Sequence, residues 1–131
     1  MTKVGFIGLG NVGGKLAGSI LRNGMALMVR DLDRNAAAPF LEAGAHWADS
    51  PKAMAEACDI VITCLPSPAA SAAVMEADDG ILAGLSAGKM WAEMSTTDEA
   101  EVKRLGAKVQ AVGADPVDCP VSGGCHRAAT G

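Results

Sequence analysis

The sequence has no tyrosine, two phenylalanines (Phe6, Phe40) and two tryptophans (Trp47, Trp91). So few aromatics leave no stacking platform for single-stranded nucleic acid. Its two histidines, His46 and His126, and four cysteines, Cys58, Cys64, Cys119 and Cys125, form no CxxC pair and no zinc-finger spacing. No metal site is expected, and the cysteines read as small thiols of a reducing compartment. Positive charge is also scarce: 11 Lys and Arg stand against 15 Asp and Glu, a net charge of −4, without a basic cluster. That balance argues against nucleic acid and anionic membrane surfaces as partners. No apolar run approaches the roughly 18 residues of a membrane span. Gly8, Gly10 and Asn11 interrupt the N-terminal apolar stretch before it can act as a signal-peptide core. A cytoplasmic protein is expected.

What is present suits one ordinary domain. The chain has 131 residues, 50% of them hydrophobic, with alanine occurring 25 times. Short β-rich runs alternate with helical stretches. Val4–Ile7 reads as a strand buried on both faces. Asn11–Asn23 reads as a helix with Val12, Leu16 and Ile20 on one stripe, widened by Ala17 and Leu21 and stopped by Gly24. Ala26–Arg30 is the second strand. Arg34–Ala43 is a helix closed by Gly44, with Pro39 forcing a late start or a kink. His46-Trp47 is a brief third strand.

Ser50-Pro51 supplies an N-cap and an N1 proline for a helix through Ala57. Asp59–Leu65 is the clearest strand. Helical turns over Pro68–Met75 and Gly80–Leu85 follow, then a strand over Lys89–Met94. Thr96-Thr97-Asp98-Glu99 has capping-box spacing, predicting a helix from Thr96 to about Val112 with Gly113 as its stop. Asp115–Val121 would be a sixth strand, confined to an edge by Pro116. Six strands alternating with helices predict an α/β fold: a Rossmann-type, doubly wound parallel sheet in a single domain.

The chemistry lies first in Gly8-Leu9-Gly10-Asn11-Val12-Gly13, which follows the first strand and opens the first helix. In that context Gly-x-Gly-x-x-Gly predicts a dinucleotide site. Gly8 permits the tight turn, Gly10 keeps a Cβ away from the pyrophosphate, and Gly13 lets the helix approach the sheet. The helix N-terminus offers free N–H groups to phosphate. Asp31, 18 residues after Gly13, ends the second strand where a carboxylate would accept the adenosine ribose hydroxyls. The cofactor is therefore read as NAD, with NADP disfavoured by the repulsion of a 2′-phosphate. Leu32 is not an arginine, although Arg30 and Arg34 flank the site and would soften the preference.

The Gly8–Gly13 loop, Cys64-Leu65-Pro66, Met94-Ser95-Thr96-Thr97 and Asp118-Cys119-Pro120-Val121-Ser122-Gly123-Gly124 together resemble the β-hydroxyacid dehydrogenase family. The resemblance runs the length of the chain, and its last segment is the most specific. It implies that Leu65 and Pro66 pass their backbone along the cofactor and that Thr96 sits near the nicotinamide ribose. It also implies that Ser122, Gly123 and Gly124 hold the substrate carboxylate, which suits closely spaced N–H groups without side-chain obstruction. Val12 stands where the family usually has Met, Ser19 replaces a frequent Asn, and Ala70 replaces a polar cofactor contact.

None of Lys3, Lys15, Lys52, Lys89, Lys103 and Lys108 matches the family's catalytic lysine. The chain is thus expected to be an NAD-binding piece truncated before the helical C-terminal domain, with the general acid/base lysine beyond Gly131. Alone it is expected to be inactive. The full-length protein is expected to be a homo-oligomeric oxidoreductase moving a hydride between NAD and a small 3-hydroxy acid, such as 3-hydroxyisobutyrate or tartronate semialdehyde. The alternative is a non-catalytic dinucleotide-binding module.

Overall fold

Six parallel strands form one sheet in the computed structural model, which describes residues 2–94 and 98–118. The strands are β1 (Lys3–Ile7), β2 (Ala26–Arg30), β3 (His46–Trp47), β4 (Ile60–Thr63), β5 (Met90–Glu93) and β6 (Asp115–Asp118). Their order is β3-β2-β1-β4-β5-β6, with every pairing parallel. The sequence direction reverses between β1 and β4. That is the switch point where a doubly wound sheet opens a crevice at its carboxyl edge. The Rossmann-type α/β architecture expected from the alternating pattern is the one observed.

Strand alternation divides the core in two. Val4, Phe6, Leu27, Val29, Ile62 and Ala92 pack on one face, with Ala17 of helix α1 (Asn11–Arg22) at its centre. Ile7, Val61 and Trp91 point to the other face. There they meet Met54 of α3 (Pro51–Ala57), Met75 of α4 (Pro68–Glu76), Ile81 of α5 (Ile81–Gly84), and Leu105 and Val109 of α6 (Glu99–Ala111). Both faces are buried, which explains why the strands carry apolar residues at successive positions.

Helix boundaries follow local chemistry. Ser50 Oγ accepts from the Ala53 amide at 3.0 Å and Ser67 Oγ from Ala70 at 3.1 Å, each ahead of an early proline. Gly24, Gly44 and Gly113 adopt φ of +78°, +110° and +86° where the helices before them stop. Pro39 gives a late start: a 3-10 turn over Arg34–Ala37 precedes α2 (Ala38–Glu42).

Three details differ from the sequence reading. The helix expected from Thr96 begins at Glu99. Asp98 is the N-cap of α6, its carboxylate accepting from the Ala100 amide at 2.9 Å. Asp caps at least as well as Thr, and Asp98-Glu99-Ala100-Glu101 has the same acidic spacing two residues later. On α1, Ala17 rather than a large residue is fully buried, because the helix lies close to the sheet; Val12 faces the cleft instead. β4 is shorter than Asp59–Leu65. Cys64 still donates to Ile7 O at 3.0 Å, but the chain then leaves the sheet into Pro66, which has no N–H to continue a ladder. β6 lies at the end of the strand order, as Pro116 requires; the part of its expected span beyond Asp118 lies outside the described residues.

Candidate functional site: the cleft at the carboxyl edge of the sheet

The turn after β1 is built by close backbone approach. Gly8 has φ of +102°, and a Cβ there would lie 2.1 Å from Cys64 O. A Cβ on Gly13 would lie 2.0 Å from Gly8 O and 3.3 Å from the Phe6 ring. Neither position accepts a side chain. Gly10 differs: its φ of −71° is ordinary, and a Cβ there would meet nothing within 4 Å. Its missing side chain leaves open space in front of the helix.

Gly10 is also the N-cap of α1 and offers no side-chain hydrogen bond. The first amides of α1 have no intrahelical partner and form the positive end of the helix dipole. Anion binding is what such an arrangement does best. The turn is anchored on both sides, with Gly8 donating to Arg30 O at 3.1 Å and Gly14 to Gly10 O at 2.7 Å.

A cleft of about 640 Å³ opens from this turn. Gly8, Gly10, Val12 and Gly13 line it together with Asp31 and Leu32 after β2, and Cys64, Leu65 and Pro66 after β4. Seven of the expected cofactor residues thus converge on one space. Leu9 turns inward and is buried, but its amide donates to Asp31 Oδ2 at 2.7 Å. Asp31 Oδ1 accepts from Asp33 N at 2.9 Å. A carboxylate has about four acceptor positions, so Asp31 retains capacity for hydroxyl donors. Leu32 is fully exposed beside it.

Of the two arginines near Asp31, Arg30 also borders the cleft, and both are engaged by other groups. Arg30 Nη1 donates to Ala48 O at 2.8 Å and Asp49 O at 2.9 Å. Its guanidinium lies 5.4 Å from the Trp47 ring centroid, and that of Arg34 lies 4.7 Å from the same ring.

Beneath the loop that carries Leu65 and Pro66 is a buried polar chain. Trp91 Nε1 donates to Thr63 Oγ1 at 2.9 Å, and Thr63 donates to Glu93 Oε1 at 3.0 Å. Thr63 and Glu93 are both fully buried. Burial pushes the half-buried Cys64 thiol above its ordinary range, and the Glu93 charge adds to the shift. Cys64 therefore lines the cleft as a neutral group at pH 7.

Of the far wall, sequence reasoning singled out Ala70 alone, and Ala70 of α4 does line the cleft. Ala73 and Val74 of α4, Ala77, Asp79 and Pro51 also border the cleft. The small residues crowded into α4 were the available signal, because they leave width between that helix and the glycine turn. The structure places no lysine in the cleft wall among the described residues. Lys89, for example, donates to Ala55 O and to Glu56 O, at the end of α3. Thr96, Ser122, Gly123 and Gly124 lie outside the described residues, as do Cys119, Cys125 and His126. For Asn11 only the backbone is described.

The uncapped helix, the space before Gly10 and the carboxylate at the end of β2 fit a dinucleotide, and together they define a Rossmann nucleotide-binding domain. Residues 3–131 match the family model of the NAD binding domain of 6-phosphogluconate dehydrogenase. The mitochondrial 3-hydroxyisobutyrate dehydrogenase of Rattus norvegicus is 39% identical over 130 residues, which cover 99% of this chain and 39% of that protein. The NAD-dependent L-serine dehydrogenase of Pseudomonas aeruginosa is 34% identical, over 100% of this chain and 44% of its own length. Among solved structures, Psf3 in complex with NADP+ and 2-OPP superposes with a TM-score of 0.92 and 33% identity, covering 97% of this chain and 45% of Psf3. The chain belongs to the β-hydroxyacid dehydrogenase family and matches its NAD-binding domain. It spans less than half the length of these relatives. No helix among the described residues is long and apolar enough to cross a membrane.

Proposed function

We propose that this chain is the cofactor-binding part of an NAD-dependent oxidoreductase acting on a small 3-hydroxy acid of the 3-hydroxyisobutyrate type, in a soluble cytoplasmic setting. The observation that carries the reading is the convergence of the uncapped α1 N-terminus, the open space at Gly10 and Asp31 on one cleft. NAD, when bound, supplies the hydride acceptor. The α1 amides hold its pyrophosphate, and Asp31 accepts from the adenosine ribose and disfavours a 2′-phosphate. Leu65 and Pro66 border the path toward the nicotinamide, with Thr96 assigned to the ribose beside it. Ser122, Gly123 and Gly124 are assigned to the substrate carboxylate, by resemblance to the family.

The cleft wall holds no lysine among the described residues. By resemblance to the family, the role of general acid or base goes to a lysine beyond Gly131, and the subunits of the full-length protein are assigned to a homo-oligomer. A general acid or base contributes about 10²- to 10⁴-fold. Residues 1–131 alone should therefore bind NAD, raise their melting temperature with it, and show no turnover.

Calorimetric titration with NAD and NADP, followed by NADH formation from 3-hydroxyisobutyrate and L-serine in the full-length protein, tests the reading. Tighter NAD than NADP binding with turnover supports it. NAD binding without turnover of any 3-hydroxy acid by the full-length protein favours the non-catalytic module, and no dinucleotide binding at all overturns the assignment of the cleft.

A further inference from the structure

We infer that Trp47 is a specificity-determining residue for the cofactor: its ring holds Arg34 away from the ribose end of the cleft, leaving Asp31 to meet the 2′-position without Arg34 as a competing cation. The inference rests on the NAD preference proposed above.

The placement follows from the sheet. Trp47 pairs with Val29, so the indole sits beside the strand that ends at Arg30 and Asp31. The ring is half-buried and cannot follow the solvent-exposed turn. Arg34 is exposed and lies three residues after Asp31, on a turn that Asp31 itself pins through the Asp33 amide. Among the described residues, the stack on Trp47 at 4.7 Å is the interaction that holds Arg34. Arg30 stacks on the same ring at 5.4 Å and is tied further by the Ala48 and Asp49 carbonyls.

Arginine is the side chain best suited to grip a phosphate, since its planar fork can donate two parallel hydrogen bonds. A guanidinium free to swing over Asp31 would offset the carboxylate and admit a 2′-phosphate. The stack competes with that motion. A cation–π contact at an exposed site is modest, which corresponds to about two- to fivefold in affinity. The indole therefore adds to the discrimination that the Asp31 charge begins.

The test is calorimetric titration of the full chain with NAD and with NADP, for wild type, Trp47→Leu, Trp47→Phe, Arg34→Ala and the Trp47→Leu/Arg34→Ala pair. Trp47→Leu should tighten NADP by about two- to fivefold while leaving NAD within twofold. Trp47→Phe, which keeps a ring of weaker cation affinity, should show a smaller gain in the same direction and serves if the leucine variant does not fold. Arg34→Ala alone should change NADP binding little, and in the leucine background it should cancel the gain. The inference is overturned if NADP affinity stays at the wild-type value, or if NAD and NADP weaken together as a purely structural role for Trp47 requires. A wild-type preference for NADP would instead overturn the Asp31 reading, because Trp47 is judged only by the shift of the ratio between variants.

Discussion

The amide of Leu9 donates to Oδ2 of Asp31 across 2.7 Å, joining the glycine turn after β1 to the end of β2. One carboxylate thus shapes the phosphate-binding turn and presents its remaining acceptor positions to the cleft. Sequence spacing alone suggests the second role and not the first.

Replacing Asp31 should separate the two. Asp31→Ala loses a charged acceptor, and NAD binding should weaken by about 10- to 100-fold, the range for a hydrogen bond to an ionised group. NADP should weaken less, because repulsion of its phosphate is removed, so the gap narrows. Asp31→Asn keeps an oxygen for Leu9 and should narrow the gap with a smaller loss of NAD affinity. Calorimetric titration reads both.

Gly10 and Gly13 should fail in different ways. Gly10→Ala meets no protein atom and adopts an allowed conformation, so the melting temperature should stay near wild type while NAD affinity collapses. Gly13→Ala drives a Cβ into the Gly8 carbonyl and should destabilise the fold by about 3 kcal/mol or more. A thermal melt beside a cofactor titration distinguishes the pair. Equal loss of stability in both would contradict the assigned roles.

Thr63 is both acceptor for Trp91 and donor to Glu93 in a fully buried setting. Thr63→Val preserves shape and deprives two buried polar groups of a partner. The expected cost is about 2–4 kcal/mol in chemical denaturation, with a changed near-ultraviolet signal from Trp91. Thr63→Ser should recover most of it.

Alkaline pH should expose the burial of Cys58. Desolvation raises this thiol from 9.0 to about 11 against the opposing charges of Lys3 and Lys89. The unfolded chain loses the proton near pH 9 and the folded chain holds it, so ionisation favours unfolding between those values. Stability from this group is complete below pH 9 and falls by about 2–3 kcal/mol as pH rises to about 11. The chain has no tyrosine to mask the effect. Denaturation midpoints across pH 8–11 should show a shallower decline for Cys58→Ala than for wild type.

Much of this architecture is legible locally. Ser50-Pro51, the stop glycines at positions 24, 44 and 113, and the apolar runs of β1 and β4 each carry short-range physics that tertiary contacts do not overturn. Competing local signals are harder to rank. Thr96 and Asp98 both offer a cap, and the tighter-capping Asp98 takes the role. Beyond Ala70 the far cleft wall was not legible, because Ala73 and Val74 resemble any helical packing residues until α4 is placed opposite the glycine turn.

By itself the sequence determined the strand–turn–helix grammar, the glycine turn and the carboxylate at its spacing, since each depends on residues close along the chain. Tertiary structure alone decided which backbone atom forbids a side chain at Gly8, since the clashing carbonyl of Cys64 comes from the end of β4. It also decided that Arg30 and Arg34 both stack on the Trp47 ring. Those outcomes depend on strands brought side by side, and no local periodicity encodes the distance between a guanidinium and a ring one strand away.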